Sequence, residues 1–513
     1  MSNIFDTVIV GSGSAGSILA NRLSEDTSRN ILLIEAGNDY SNLESIPENV
    51  YYGHGNLEMP ASQELDPHNW AYKGESTKDG PFIRIPRGKV IGGSSSINAQ
   101  ILLRGVREDY DRWAEFGNEH WSFEKVLPYF KKFENDIDYS NEDYHGNSGY
   151  IKVKRVPEQE WDDVHRAFYN SCVDYGFPAC PDHNKPDSTG VGPLGFNQID
   201  GVRQSTSITY LADIRHRPNL NIKSNAYVKK IIFEGTKAIG LELESNNQKF
   251  NIYSDDIIIS AGAIESPKLL LNSGVGDPEK FIKHGINPVI DLPGVGKNLR
   301  DHPMVYVAWE PTEGYTNPKT NYSRVAMGLR YTSNDSNFIN DMIVYMNSST
   351  RNNGNPEVPE GIKANLTLNL EESSGEVFLN DDNPDDYPKL SYNYLSTEND
   401  VNRFIEGINI LEEIGNHNEF QKYVGDMIHP NIDIRKDDKL LKKWLHGKMV
   451  TGHHSSGTCK MGNDPLAVVD QTGSVIGAEN LKVVDASIMP DCIRANTNAT
   501  VMLIAERIID LWE

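Results

Sequence analysis

The sequence predicts an α/β protein in two parts: a parallel sheet wrapped by helices, and a second domain built on an antiparallel sheet flanked by helices. Three observations carry this expectation. Residues 6–37 read as strand, glycine turn, helix, strand and acid. Residues 256–271 resemble the start of that pattern, a buried strand running into a helix. Short segments between 366 and 394 alternate as antiparallel strands do. At 513 residues the chain is too long for one ordinary domain.

The first element is Thr7-Val8-Ile9-Val10, short, apolar and β-branched, as a strand buried on both faces should be. Gly11, Gly13 and Gly16 follow at G-x-G-x-x-G spacing, with Ser14 and Ala15 between. The first glycine permits the tight turn, the second lets the backbone approach a pyrophosphate, and the third lets the helix pack on the strand. That helix points its free N–H groups and positive dipole end at the same place. The second strand, Ile31 to Ile34, ends at Glu35 and Ala36, where a carboxylate can take ribose hydroxyls. Together these make a Rossmann-like dinucleotide site. The acid argues against a 2′-phosphate, which leaves FAD or NAD.

Composition excludes several classes. Hydrophobic residues at 38% and charged residues at 24% describe a globular protein. A net charge of −24, from 49 basic and 73 acidic residues, argues against nucleic acid and anionic membranes as partners. No apolar run approaches the roughly 20 residues of a membrane span. The first strand begins a few residues after Met1, so a cytoplasmic location is expected. Cys172, Cys180, Cys459 and Cys492 show no metal spacing, so free thiols and no metal are expected.

The next landmark is Arg87-Gly88-Lys89-Val90-Ile91-Gly92-Gly93-Ser94-Ser95-Ser96-Ile97-Asn98, followed by Ala99. Adjacent glycines before three serines suit a loop whose backbone must approach a flat ligand. Helical spacing over 110–133 suggests surface helices, and 164–175 an amphipathic one. Residues 221–233 and 238–244 read as two strands, with 250–253 a third. Ile257 to Ile259 is a buried strand that meets Ala261 and Gly262, and Ser266-Pro267 is placed to start a helix through Leu271. Residues 310–360 read as long loops over strands such as 342–345, with polar stretches at 333–337 and 352–355, and 400–414 as a helix. Near the end, His453 and His454 precede a Ser/Gly turn, and a strand at 481–484 ends at Asp485 and Ala486. A helix over 501–511 has Thr497 or Asn498 as its cap, which leaves Asn496 just outside a positive helix end.

Taken in order, these segments resemble the glucose–methanol–choline (GMC) family of flavin-dependent oxidoreductases over nearly the whole chain. The carrying motifs are GSGSAG…EAG, residues 88–98, residues 262–276 (GAIESP…NSGVG), Pro293 to His302, Ser374-Gly375 through Pro388, the H-x-x-G-T run at 454–458, and Asn496-Thr497-Asn498. The resemblance implies FAD. It gives the ADP half to Gly11, Gly13, Ser14, Ala15, Gly16, Glu35 and Ala36, with Val228 at the adenine. It gives the pyrophosphate and flavin to Lys89, Gly93, Ser94, Asn98, Ala99, Ala261, Gly262, Asp485, Ala486, Asn496 and Asn498. Ile97 stands where some relatives carry a histidine bonded covalently to the flavin, so non-covalent FAD is expected.

The resemblance also makes His454 the catalytic histidine and Asn496 its partner. An imidazole can accept the hydroxyl proton of an alcohol while the carbon-bound hydrogen leaves as hydride to flavin N5; a non-titrating amide fixes the alcohol oxygen. His453 is a candidate pocket residue, and His302 is expected to be structural. The expected reaction is oxidation of a small primary alcohol, aryl or furanic, to the aldehyde, with oxygen or another electron acceptor completing the cycle. Choline, sugar-type and pyridoxine-type alcohols stay open, as does a hydroxynitrile lyase with a non-redox flavin. The FAD-binding domain is expected over 1–155, 205–305 and 450–513, and the substrate domain over 156–204 and 306–449.

Overall fold

The computed structural model describes residues 4–54, 59–320, 322–334, 336–352 and 354–512. Asp335 and Asn353, in the polar stretches noted above, lie outside them. The strand Thr7–Val10 (β1) is buried at all four positions, as is Ile31–Ile34 (β2). Between them runs the helix Ser14–Leu23 (α1). Leu220–Lys223 (β3), Ile257–Ile259 (β4) and Leu481–Val483 (β5) complete a sheet of order β3-β2-β1-β4-β5, parallel throughout. This is the order of a doubly wound dinucleotide fold, in which ligands lie outside the carboxyl ends of the strands. Two further helices, Gly262–Asn272 (α2) and Thr497–Asp510 (α3), follow β4 and β5. Helix α3 packs on α1, and Glu506 of α3 meets Arg22 of α1 at 2.8 Å.

The second sheet has seven strands. Along it lie Val424–His429, Pro303–Pro311, Ile362–Leu368, Met342–Asn347, Met327–Tyr331 and Gly190–Pro193, paired antiparallel, and Val450–Thr451 joins Pro303–Met304. Helices Asp163–Tyr175 and Glu398–Gly415 cover it. Asp162 and Thr397 cap them through their side chains, and Phe168, Phe404 and Ile408 fill one core with Leu366 and Val344. No helix among the described residues is long and apolar enough to cross a membrane. All four cysteines are buried free thiols.

Three local expectations are corrected. The run read as one strand over 221–233 is two, in different sheets: β3, and Tyr227–Glu234, which pairs antiparallel with Lys237–Ser245. The break falls at Asn225 and Ala226, whose N–H groups bond to the carbonyls of Gly37 and Glu35 instead of a strand neighbour. Helix α2 starts at Gly262, four residues before Ser266, because the Asp485 carboxylate accepts both the Gly262 N–H (2.8 Å) and the Ser266 hydroxyl (2.6 Å). Pro267 therefore lies inside the helix. It has no N–H for the Ala263 carbonyl, and the Thr458 hydroxyl donates to that carbonyl at 2.7 Å. In α3 the N-cap is Asn496, not Thr497 or Asn498, and it makes no side-chain capping bond. The helices Arg107–Glu115 and Phe123–Phe133 form as expected, although Trp113 and Phe130 on them are wholly buried.

Candidate active site

A cavity opens at the carboxyl ends of β1, β2 and β4. Its lining joins the glycine turn, Glu35 and Val228 to His453, His454 and Asn496. Two helices aim uncapped N-termini into it: α1, whose N-cap Gly13 offers no side chain, and α3 behind Asn496. Their ends are tied together by Ser14, whose hydroxyl donates to Asn498 Oδ1 at 2.6 Å. Free N–H groups and two positive dipole ends fit a pyrophosphate.

The glycine motifs explain how the backbone comes so close. A Cβ on Gly16 would lie 1.9 Å from the Gly11 carbonyl oxygen, so this glycine seats α1 on its turn and does not line the cavity. Gly93, at φ +53°, brings its Cα against Gly13, where a Cβ would lie 2.7 Å from the Gly13 Cα. Of the three serines that follow, Ser95 and Ser96 are buried and bond back to the carbonyls of Gly92 (2.6 Å) and Ile91 (2.8 Å), while Ser94 faces the cavity. Glu35 accepts the Ser12 hydroxyl at 2.6 Å and the Gly37 N–H at 2.8 Å, and burial raises its pKa.

Gly11, Gly13, Ser14, Ala15, Glu35, Ala36, Gly93, Ser94, Asn98, Ala99, Val228, Ala261, Gly262, Asp485, Ala486, Asn496 and Asn498 all line this cavity, with His453 and His454. Lys89 does not. Its ammonium lies 4.7 Å over the Trp70 ring and lines a neighbouring cavity with Tyr227 and Tyr387.

Across the cavity from the glycines, three side chains form a chain. The Asn496 amide nitrogen lies 3.0 Å from His454 Nε2, and His454 Nδ1 lies 2.8 Å from His302 Nδ1. The Tyr345 hydroxyl donates to Asn496 Oδ1 at 3.3 Å, which leaves the NH₂ facing His454. Hydrogen bonding then assigns the tautomers: Nε2 of His454 carries the lone pair, its Nδ1–H donates to His302, and His302 holds its own proton on Nε2. Burial, then His302, His453 and the Arg87 guanidinium, hold His454 well below the ordinary histidine pKa. Desolvation within the cavity and Arg87 likewise lower His453 to about 4. His453 is open to the cavity and takes the left-handed backbone conformation, φ +71°. Such strain in a non-glycine residue persists only where neighbours impose it, here with the His453 N–H bonded to the Thr451 hydroxyl at 2.7 Å.

Sequence reasoning did not single out Tyr345, Arg87, Ser455 or Thr458. Tyr345 arrives from the second sheet with no local signal, whereas Arg87 and Thr458 flank the glycine signature and the H-x-x-G-T run and were visible as motif members. Arg87 donates to Ser455 Oγ at 2.7 Å, and Ser455 meets the Tyr392 hydroxyl at 2.8 Å.

Comparisons with known proteins agree with this architecture. The GMC oxidoreductase family model matches residues 5–304 and 371–505. The chain is 35% identical to the mitochondrial choline dehydrogenase of Mus musculus, over 98% of this chain and 88% of that one. It is 34% identical to the oxygen-dependent choline dehydrogenase of Staphylococcus saprophyticus, over 100% and 95%. Pyridoxine 4-oxidase from Mesorbium loti superposes with a TM-score of 0.89 at 29% identity, over 99% of each chain. A fungal aryl-alcohol oxidase, at 22% identity and a TM-score of 0.86 over the whole of both chains, shares the fold.

The chain belongs to the GMC oxidoreductases. It is an FAD-dependent enzyme acting on CH–OH donors.

Proposed function

We propose that this enzyme oxidises a small primary alcohol to the aldehyde, with His454 as the base and Asn496 as the holder of the alcohol oxygen. The observation that carries the reading is the His454 Nε2–Asn496 amide pair, 3.0 Å apart, in the wall of a cavity built for a dinucleotide. Bound FAD supplies the hydride acceptor. The residues that would hold it are those of the glycine turn, Glu35, the Gly93–Ala99 loop and the N-terminus of α3. Nε2 of His454, unprotonated at neutral pH, takes the hydroxyl proton. The Asn496 amide donates to the oxygen and stabilises the charge that develops there, with the positive end of α3 behind it. In this reading segments 1–155, 205–305 and 450–513 serve FAD, and 156–204 and 306–449 shape the substrate end. Ile97, apolar and 3% exposed, offers no atom for a covalent bond to the flavin, so FAD is held non-covalently and acid precipitation releases it into the supernatant.

Within alcohols, the cavity favours a neutral aryl, furanic or pyridine-type hydroxymethyl group. Its described carboxylates are already engaged: Glu35 as above, Glu265 by the Tyr72 and Tyr227 hydroxyls (2.7 Å each), and Asp485 by Gly262, Ser266 and Ser487. The cation nearest the two histidines in its lining is Arg87. Choline is the second reading, favoured by the names of the 34–35% identical relatives. Anaerobic mixing of the yellow protein with benzyl, furfuryl, pyridoxine and choline alcohols decides between them. Bleaching near 450 nm by a neutral ring alcohol and not by choline is expected; bleaching by choline alone overturns the substrate class. A flavin that no alcohol bleaches, in a protein that cleaves a cyanohydrin, would overturn the oxidation itself.

A further inference from the structure

The two histidines that meet in the cavity wall are also joined through their backbones by one carboxylate. Asp301 is 1% exposed. Its Oδ1 accepts the N–H of His302 at 2.8 Å and the N–H of His454 at 2.7 Å. Its Oδ2 accepts the hydroxyls of Thr451 at 2.5 Å and Tyr394 at 2.7 Å.

The placement has a structural reason. Strand Val450–Thr451 pairs with Pro303–Met304, and the Gly452 N–H reaches the His302 carbonyl at 2.8 Å. At His453 the backbone turns left-handed, and the regular ladder cannot continue to His454. The Asp301 carboxylate receives the N–H groups that the ladder would otherwise have paired. Hydrogen bonds to a carboxylate are stronger than those between neutral groups, so the spacing of the two backbones is well fixed.

We propose that Asp301 is a positioning residue for proton transfer. By holding the N–H groups of His302 and His454 on one oxygen, it sets the Nδ1–Nδ1 contact of 2.8 Å between their rings. That contact keeps the His454 proton on Nδ1 and presents Nε2 to Asn496 and the substrate. The inference rests on the reading of His454 as the base.

Asp301→Asn is the direct test. The amide keeps an oxygen for the two N–H groups but turns an NH₂ toward the hydroxyls of Thr451 and Tyr394, which must reverse to accept. Nitrogen-15 spectra of histidine-labelled holoenzyme, without substrate, read the His454 tautomer, with His454→Ala supplying the assignment. The protonated Nδ1 form is expected in the wild type and a mixture in Asp301→Asn. With whichever alcohol of the panel bleaches the flavin fastest, kcat should fall tenfold or more with KM within about twofold. The acid limb of the pH profile should also move. Wild-type tautomer and a kcat within twofold overturn the proposal. If Asp301→Asn does not fold, Tyr394→Phe removes one hydroxyl donor to the carboxylate and leaves in place Thr451, which also accepts the His453 N–H. The same tautomer mixture and a kcat loss of at least threefold are then expected, and no change in either overturns the proposal. Retained turnover in His454→Ala would instead remove the base reading, while the tautomer measurement on Asp301→Asn would still decide what Asp301 holds in place.

Discussion

The amide nitrogen of Asn496 sits 3.0 Å from Nε2 of His454, and the two reach each other from different elements, the N-cap of α3 and the turn after Val450–Thr451. If Nε2 takes the alcohol proton, His454→Ala should lose about 10²–10⁴ in the rate of flavin bleaching by substrate. FAD content should stay unchanged, because the ring touches no element of the glycine turn. Asn496→Ala should cost less, and Asn496→Asp more, since a carboxylate would repel the developing alkoxide. Stopped-flow absorbance at 450 nm measures all three; a His454→Ala variant within fivefold of wild type removes the assignment.

The pH dependence follows from the same ring. Burial, His302, His453 and Arg87 all push His454 down, so its proton-accepting form is complete at pH 7 and is lost only as pH falls through a value below 6.5. A plot of kcat/KM should therefore be flat from about pH 6.5 upward and decline on the acid side. Arg87→Gln takes away one of the depressing charges, so its acid limb should shift to higher pH. An acid limb centred above pH 6.5 in the wild type would contradict the neutral imidazole.

The glycines separate folding from cofactor binding. A Cβ on Gly13 meets nothing nearer than the Gly93 Cα at 3.9 Å, whereas a Cβ on Gly16 would lie 1.9 Å from the Gly11 carbonyl oxygen. Gly13→Ala should fold, with stability changed by about 1 kcal/mol or less, and lose at least tenfold in FAD affinity because its methyl stands where the pyrophosphate approaches. Gly16→Ala should fail earlier, as a loss of soluble protein. Circular dichroism and the 450 to 280 nm absorbance ratio distinguish the two; a yellow, well-folded Gly16→Ala would refute the packing argument.

What the sequence made legible was local chemistry. Thr7–Val10 and Ile31–Ile34 read as buried parallel strands because every position is apolar or β-branched, and Glu35 stood out because it ends one of them. The strand Met327–Tyr331 stayed hidden: all five of its residues are buried, including Gly328 and Arg330, so no alternation marks it. Arg330 is tolerated there because its guanidinium reaches the carbonyls of His183 (2.8 Å) and Arg494 (2.6 Å), contacts far away in sequence. The break at Asn225 was equally invisible, since its cause is the carbonyl of Gly37. In the site, motif spacing reached His454 and Asn496 as members of separate runs. The clamp by Asp301 and the orientation of the amide by Tyr345 depend on tertiary approach, which spacing does not encode.

Thr458 gives the sharpest check on such long-range dependence. Its hydroxyl is wholly buried and donates at 2.7 Å to the Ala263 carbonyl, the acceptor that Pro267 leaves without a helical partner. Thr458→Val removes that donor and strands a buried acceptor, which should cost about 1–3 kcal/mol in a denaturant titration. In a Pro267→Ala background the backbone N–H of residue 267 becomes available to Ala263 within the helix, so the same Thr458→Val change should cost less than half as much. The coupling between the two sites should then be at least about 0.5 kcal/mol. Strict additivity would mean that the threonine holds the helix some other way. Because α2 carries Gly262 at the cavity wall, the weakened single variant should also hold FAD less tightly, and the double variant should recover that retention along with stability.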